Sequence, residues 1–448
     1  MSVKDGSQAS PAVPDAGGMP GRPPAEPPGS PKAAPAAEGL PKVGAPYIWF
    51  MVLAQFGVFM AFITPLAISL SVRVDELAPG REGYLGYITG AGAAASLVAG
   101  PFLGVLSDRN RSRLGRRRPF MIGGTALGVV ALVVMALAPS VPVLGLGWIL
   151  AHLGWGTALG NLQISQADRL PESQRGKVAG LTGFATLVAP VVGVVLAGGL
   201  AGNALLLFLV PGAVGVVLVT LFVRFVHEND SRGLVFDEPL TARSLLGKYV
   251  FDPRRYPDFS WSWLGRFLFY FGLTLNTTFT AFFFASRLDV PVKEVAGTIA
   301  VLAALGVAAT AAGALGGGFL SDRLRRRRVF VLAAGAVFAI GAVIMALSSD
   351  VPALFAGSLT CSLGLGMFSA VDQALALDVL PERETGAGRF MSIFGFATQI
   401  PQSVAPLLAP LFLAVGASAD DNYTVLYLAA AVCTLLSGII VLRIKSVR

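Results

Sequence analysis

The stretch GVLSDRNRSRLGRRRPF, from Gly104 to Phe120, decides how this chain is read. An apolar segment closes at Gly104-Val105-Leu106, Asp108 follows, six arginines fill the next ten positions, and Pro119 opens a new apolar segment. That pattern is a short loop between two membrane helices, and its cations hold it on the cytoplasmic side because Lys and Arg in short loops resist translocation. A second copy, GGFLSDRLRRRRVF from Gly317 to Phe330, aligns Leu320-Ser321-Asp322-Arg323 with Leu106-Ser107-Asp108-Arg109. The chain therefore reads as two copies of one membrane unit.

Composition agrees. Apolar residues make up 54% of the 448, charged residues 13%, and the mean hydropathy is +0.70, far from the quarter-charged mix of a soluble domain. The formal charge of +8 lies in loops between apolar spans, so it faces lipid headgroups and not nucleic acid. Cys361 and Cys433 fall inside apolar spans, which implies no disulfide framework. Of the 34 basic residues, 27 are Arg, a usage that points to a GC-rich bacterial genome and hence to a bacterial inner membrane.

Residues 1–46 hold eleven prolines among Ala, Gly and Ser and are expected to form a disordered cytoplasmic tail, since they bury too little surface to offset ordering entropy. Twelve apolar spans of about 20 residues, the length that crosses a bilayer, follow near 47–71, 84–106, 119–138, 142–166, 177–200 and 204–226, then 260–286, 295–320, 329–348, 351–377, 386–414 and 422–443. The expected divisions are a first six-helix bundle over 47–226, a cytoplasmic linker over 227–259, a second bundle over 260–443 and a short tail over 444–448. With both termini cytoplasmic, inner loops and tails hold 28 of the 34 Lys and Arg, and outer loops hold only Arg73, Arg81, Arg287 and Lys293. The duplication extends further: Asp168-Arg-Leu-Pro-Glu172 recurs as Asp378-Val-Leu-Pro-Glu382, and Gly183-Phe-Ala-Thr186 as Gly395-Phe-Ala-Thr398. Two parallel six-span repeats are one known architecture of secondary transporters.

On these features the chain resembles the major facilitator superfamily over about residues 47–445. Ser107-Asp108-Arg109, Ser112-Arg113 and Gly115-Arg116-Arg117-Arg118-Pro119-Phe120 are similar to the loop of the glycoside-pentoside-hexuronide and sucrose:proton symporters. The resemblance implies an all-α fold of two pseudo-symmetric bundles that carries a small solute, a sugar or glycoside, by alternating access with possible proton symport. It also implies a cytoplasmic gate built from Gly104, Asp108, Arg109, Arg113 and Arg116, with Asp168, Arg175, Asp322, Arg323 and Asp378 as its other members. In that gate Asp108 is expected to meet the start of span 11 at Gly386-Ala387-Gly388-Arg389, and Asp322 the start of span 5 at Gly176-Lys177. Sucrose-type symporters carry an acid and an arginine in span 4, where this chain has His152, Asn161 and Gln163.

Substrate and coupling candidates come from spans 1, 4, 7, 10 and 11: Gln55, His152, Trp155, Asn161, Gln163, Arg266, Tyr270, Asn276, Thr277, Asp372, Gln373 and Gln399. Arg266 and Asp372 are intramembrane charges at similar depth, which are costly unless paired or facing water. They read as partners, either a static bridge or a protonation-sensitive latch. His152 reads as a core histidine bonded to a neighbouring helix or as a titratable group, and the amides and hydroxyls as polyol ligands or interhelical glue. Arg116 to Arg118, at the helix end that disfavours cations, are expected to serve topology and lipid contact.

No Walker loop, dinucleotide glycine pattern, HExxH or Cys/His metal spacing occurs, so neither an enzyme, a cofactor nor a metal is expected, and the partners are a solute, a proton and lipid around a monomer. The rival reading is a proton-driven efflux antiporter for an amphiphile.

Overall fold

The computed structural model describes residues 41–200, 202–228, 230–233, 251–381, 387–416 and 422–446. Residues 1–40, 234–250 and 447–448, which include most of the expected tails and linker, lie outside the described residues.

Among the described residues, eleven helices are long and apolar enough to cross a bilayer, and a bent pair makes a twelfth. In chain order they are α1 Ala45–Leu77, α2 Gly83–Asp108, α3 Arg118–Ala136, α4 Val141–Arg169, α5 Glu172–Gly198 and α6 Ala204–Phe225. The second half has α7 Pro257–Leu288, bent by 49° between Thr278 and Thr280, then α8 Ala296–Leu324, α9 Arg327–Leu347, α10 Val351–Asp378, α11 Ala387–Leu413 and α12 Tyr423–Val441. Most boundaries lie within a few residues of the sequence reading. Two depart more widely. α1 continues to Leu77 because a π-helical turn at Pro65–Ser69 absorbs the proline without ending the helix. α7 breaks at Phe279, where no proline stands.

The two irregularities occupy equivalent places, since Pro65 and Phe279 are 214 residues apart and so are Arg73 and Arg287. Those two arginines explain themselves in the structure. Arg73 donates to the Ala138 carbonyl at the end of α3 (2.8 Å), and Arg287 to the Ala346 carbonyl at the end of α9 (2.9 Å). A cation there satisfies an orphan carbonyl and complements the negative end of the helix dipole. At the other end, Arg118 donates to the Val223 carbonyl closing α6, and Arg328 to the Ile444 carbonyl beyond α12.

Glycines set the packing distance inside each half. A Cβ at Gly147 would lie 2.6 Å from Met135 Cγ, and one at Gly357 2.6 Å from Met345 Cγ. Both members of the second pair follow the first by 210 residues. The α3/α4 and α9/α10 hairpins are thus the same close-packed unit, as small residues permit in a membrane where hydrophobicity drives no helix association.

Among the described residues, the close glycine contacts between the halves lie at one end. At the end away from the arginine loops, α2 packs on α11 so tightly that a Cβ at Gly90 would fall 2.7 Å from Ser403 O, and one at Gly86 would collide with Pro406 O. On the other seam a Cβ at Gly198 of α5 would lie 3.1 Å from Ala296 Cβ of α8. Towards the arginine loops, the positions of Gly100, Gly104, Gly176, Gly180, Gly183, Gly316 and Gly395 have nothing within 4 Å of an added Cβ. Among the described residues, the halves are thus tightly packed at the first end, with no such glycine contact at the second.

Candidate functional site

Three features line the space between the halves: a charged cluster at each half's open end, clefts floored by polar side chains, and a buried ion pair in the second half.

In the first half the cluster is centred on Arg117, the residue before α3. Its Nη2 lies 2.5 Å from Asp108 Oδ1 at the end of α2 and 3.4 Å from Asp168 Oδ2 at the end of α4, and its Nη1 donates to Ser107 Oγ at 3.2 Å. Its side chain is 5% exposed, against 52% for Asp108, so the guanidinium is sheltered while the carboxylate looks into water. Arg116 reaches Asp168 at 3.8 Å. Glu228, just past α6, accepts the backbone N–H groups of Arg117 (3.0 Å) and Arg118 (3.1 Å) and so caps α3 with the charge its positive end favours. Gly115, at φ +89, makes room for it, because a Cβ there would meet the Glu228 side chain. Arg117 is the main addition to the sequence reading, which placed Arg116 in the gate but left Arg117 to topology and lipid contact.

The second half repeats the arrangement around Arg327. Its Nη1 lies 2.7 Å from Asp378 Oδ2 and its Nη2 3.2 Å from Asp322 Oδ1. Arg327 follows Arg117 by 210 residues. Thus Asp108 and Asp322, expected at the starts of span 11 and span 5, each pair with an arginine of their own half. Among the described residues, the ion pairs of both carboxylates stay within their own half, and Gly386 of the expected contact lies outside the described residues. Arg113 and Arg323 are exposed, and Arg109 is half-buried.

The polar residues divide by position. Gln55 Nε2 donates to Gln166 Oε1 (2.7 Å) on the wall of a ≈ 630 Å³ cleft between α1, α4 and α5, which Gln163 and Arg175 also line. Arg175 Nε donates to the Leu170 carbonyl at 3.2 Å. Asn161 is buried between helices, accepting from Ser107 Oγ and donating to the Thr157 carbonyl at 2.9 Å. His152 lies 3.1 Å from Ser96 Oγ of α2 and is wedged edge-on against Phe62 and Trp148. Trp155 is fully buried against Gly128. Gln399 of α11 faces His152, Asn161 and Gly104 across a second cleft of ≈ 280 Å³. Asn276 and Thr277 line a third chamber of ≈ 280 Å³ in the second half.

The ion pair sits in the parts of α7 and α10 nearer the arginine loops. Arg266 Nε is 2.8 Å from Asp372 Oδ2, with the side chains 11% and 1% exposed. Arg266 Nη2 also donates to Gln373 Oε1 (3.3 Å), and the guanidinium lies 4.2 Å from the Phe394 ring centre and 5.9 Å from that of Tyr270. A carboxylate this buried keeps its charge only through such a partner.

Comparison with known proteins agrees with this architecture. A curated relative, the general alpha-glucoside permease of Schizosaccharomyces pombe, is 31% identical over 110 residues, covering 23% of this chain; the chain spans 18% of that relative's length. Among solved structures, the nucleoside transporter NupG superposes with a TM-score of 0.69 and 11% identity over 89% of this chain and 98% of its own, and a mutant form of it with 0.72. A bacterial homologue of the human lysosomal transporter Spinster, in an inward-facing and unoccupied conformation, gives 0.65 and 18% identity over 89% and 96%. The sequence pattern of the Major Facilitator Superfamily matches residues 47–386 and 263–448. Twelve duplicated helices, paired arginine loops and a family match through both halves lead to one conclusion: this chain belongs to the Major Facilitator Superfamily of membrane transporters.

Proposed function

We propose that the protein is a secondary active transporter that carries a small polar solute, a sugar or glycoside, across a bacterial inner membrane by alternating access. Both termini and the arginine loops are cytoplasmic in this reading, as the positive-inside rule requires, so the conformation is inward-open. The observation that carries it is the combination of a seam sealed at Gly86, Gly90 and Gly198 with open space at Gly100, Gly104 and Gly180. One end shut and the other open is one of the two end states between which an alternating-access carrier moves. The glucoside permease match supports the solute class.

Transport is coupled to protons at the Arg266–Asp372 pair in this reading. Protonating the carboxylate removes the partner that holds the guanidinium, freeing Arg266 towards Gln373 and the cleft. The Arg117 and Arg327 clusters act as the inner gate: Asp108 and Asp322 are half-solvated here and free to accept new donors when that end closes.

The test is uptake of labelled sugars into proteoliposomes under an imposed pH gradient, alongside extrusion of an amphiphilic dye. Proton-dependent sugar uptake, lost in Asp108→Asn with insertion intact, is the expected outcome. Dye extrusion without sugar uptake overturns the reading in favour of efflux.

A further inference from the structure

The two halves are copies, yet a chamber of ≈ 280 Å³ exists among α7, α8, α9 and α10 where the first half is filled. The repeat register explains the difference. Offsets of 214 for the first helix and 210 for the fourth set Asn276 on Phe62, Ser358 on Trp148 and Ser362 on His152. In the first half those three rings pack together at 4.8 to 5.6 Å between centres. In the second half an amide and two hydroxyls stand in their places and line open space.

The lining is chemically specific. Its polar groups are the Asn276 amide, the hydroxyls of Thr277, Thr280, Thr310, Ser358 and Ser362, and the Cys361 thiol; none of its residues is charged. Asn276 is 6% exposed and its Nδ2 is buried without a hydrogen-bond partner among the described residues. Thr277 donates to the Leu273 carbonyl (3.0 Å), Thr280 to the Thr277 carbonyl (3.0 Å) and Ser362 to the Ser358 carbonyl (3.0 Å), so their protons are committed and their lone pairs remain to accept. The chamber therefore offers the Asn276 amide and the Thr310 and Ser358 hydroxyls as donors, and several acceptors, around an apolar wall.

Resting on the transport reading above, we infer that this chamber holds one ring of an uncharged polyhydroxylated solute, with Asn276 as the residue that selects it. A hydroxyl both accepts from Nδ2 and donates to a threonine oxygen, whereas a cation finds no carboxylate, an anion finds no cation, and an apolar ligand leaves the amide unpaired. Leu187 of α5, in the other half, closes one side, so the occupant touches both bundles and its binding is felt by the seam between them. Arg266, ten residues earlier on α7 and about 15 Å along its axis, is too far to share the ring.

The probes are methyl α-glucoside, glucuronate and glucosamine, measured by equilibrium binding to the purified full chain and by proteoliposome uptake. The glucoside is expected to bind at least tenfold more tightly than either charged sugar, Asn276→Leu to weaken it about tenfold or more, and Ser358→Trp, which restores the first half's ring, to abolish saturable binding with unchanged thermal unfolding. If the unmodified protein carries the glucoside and both variants bind it within twofold of normal, the chamber is not the site and the transport reading stands. Glucuronate or glucosamine binding as tightly as the glucoside overturns the uncharged class. Absence of binding and uptake for all three sugars defeats the solute reading itself, and this inference with it.

Discussion

The two halves agree at their ends and disagree in their middles. Both place an arginine at the start of the third helix between two carboxylates, Arg117 with Asp108 and Asp168, Arg327 with Asp322 and Asp378. Both cap a helix carbonyl with an arginine at the end away from the arginine loops. Helix ends expose unpaired backbone groups in either half, so the same solution serves twice. In the middle, Arg266 and Asp372 stand where the first half has Val52 and Leu162, by the same offsets of 214 and 210, and both of those are buried. The first half thus keeps a buried apolar side chain at each of the two positions where the second half carries a charge.

The largest effect that would break this comparison comes from the pair. Arg266→Val alone, or Asp372→Leu alone, leaves a buried charge without its partner and should cost about 3–5 kcal/mol. The double variant, which copies the first half, should recover to within about 1.5 kcal/mol of the unmodified protein while remaining inactive. Chemical unfolding in detergent measures this; a double variant no more stable than the singles would contradict the assignment.

Next is the sealed seam. Gly90→Leu overpacks α2 against α11 and should destabilise the closed outer end by about 1–3 kcal/mol, a shift of roughly 5- to 150-fold in the balance of conformers. Spin-label distances across that seam should lengthen. Gly104→Leu, in open space, should leave stability within about 0.5 kcal/mol but hinder closure of the inner end, reducing transport.

The two arginine clusters offer a finer comparison. Arg117 is 5% exposed and Arg327 25%, so Arg117→Ala should cost about 1.5–3 kcal/mol, as for hydrogen bonds to charged groups, and Arg327→Ala about 1 kcal/mol or less after solvent screening. Equal losses would show that shelter of the guanidinium does not matter. The smallest expected effect is Glu228→Ala, about 1 kcal/mol for the loss of a helix cap, read as a lowered thermal midpoint.

Much of this was legible beforehand. Span count, duplication and the loop copies follow from hydropathy and repeated residues, because a segment in hydrocarbon must satisfy its backbone internally and is forced to be an apolar helix. Single side chains were less legible. Arg117 looks like Arg116 and Arg118 in a run of three, and the repeat register does not single it out, since the three fall on Arg326, Arg327 and Arg328. Asn161 and Gln55, plausible solute ligands by type, are engaged with Ser107 and Gln166. The bend at Phe279 has no residue signature at all.

The sequence by itself determined which segments cross the membrane, that the unit was doubled, and that charge gathers at one set of loops, since those depend on local composition and the solvent around it. Only the tertiary structure decided which end is shut, which arginine a carboxylate holds, and that three rings fill the first half where a polar chamber opens in the second. Those outcomes depend on how helices distant in sequence approach one another, and a one-residue difference in side-chain volume at such a contact is visible only once the partner is in place.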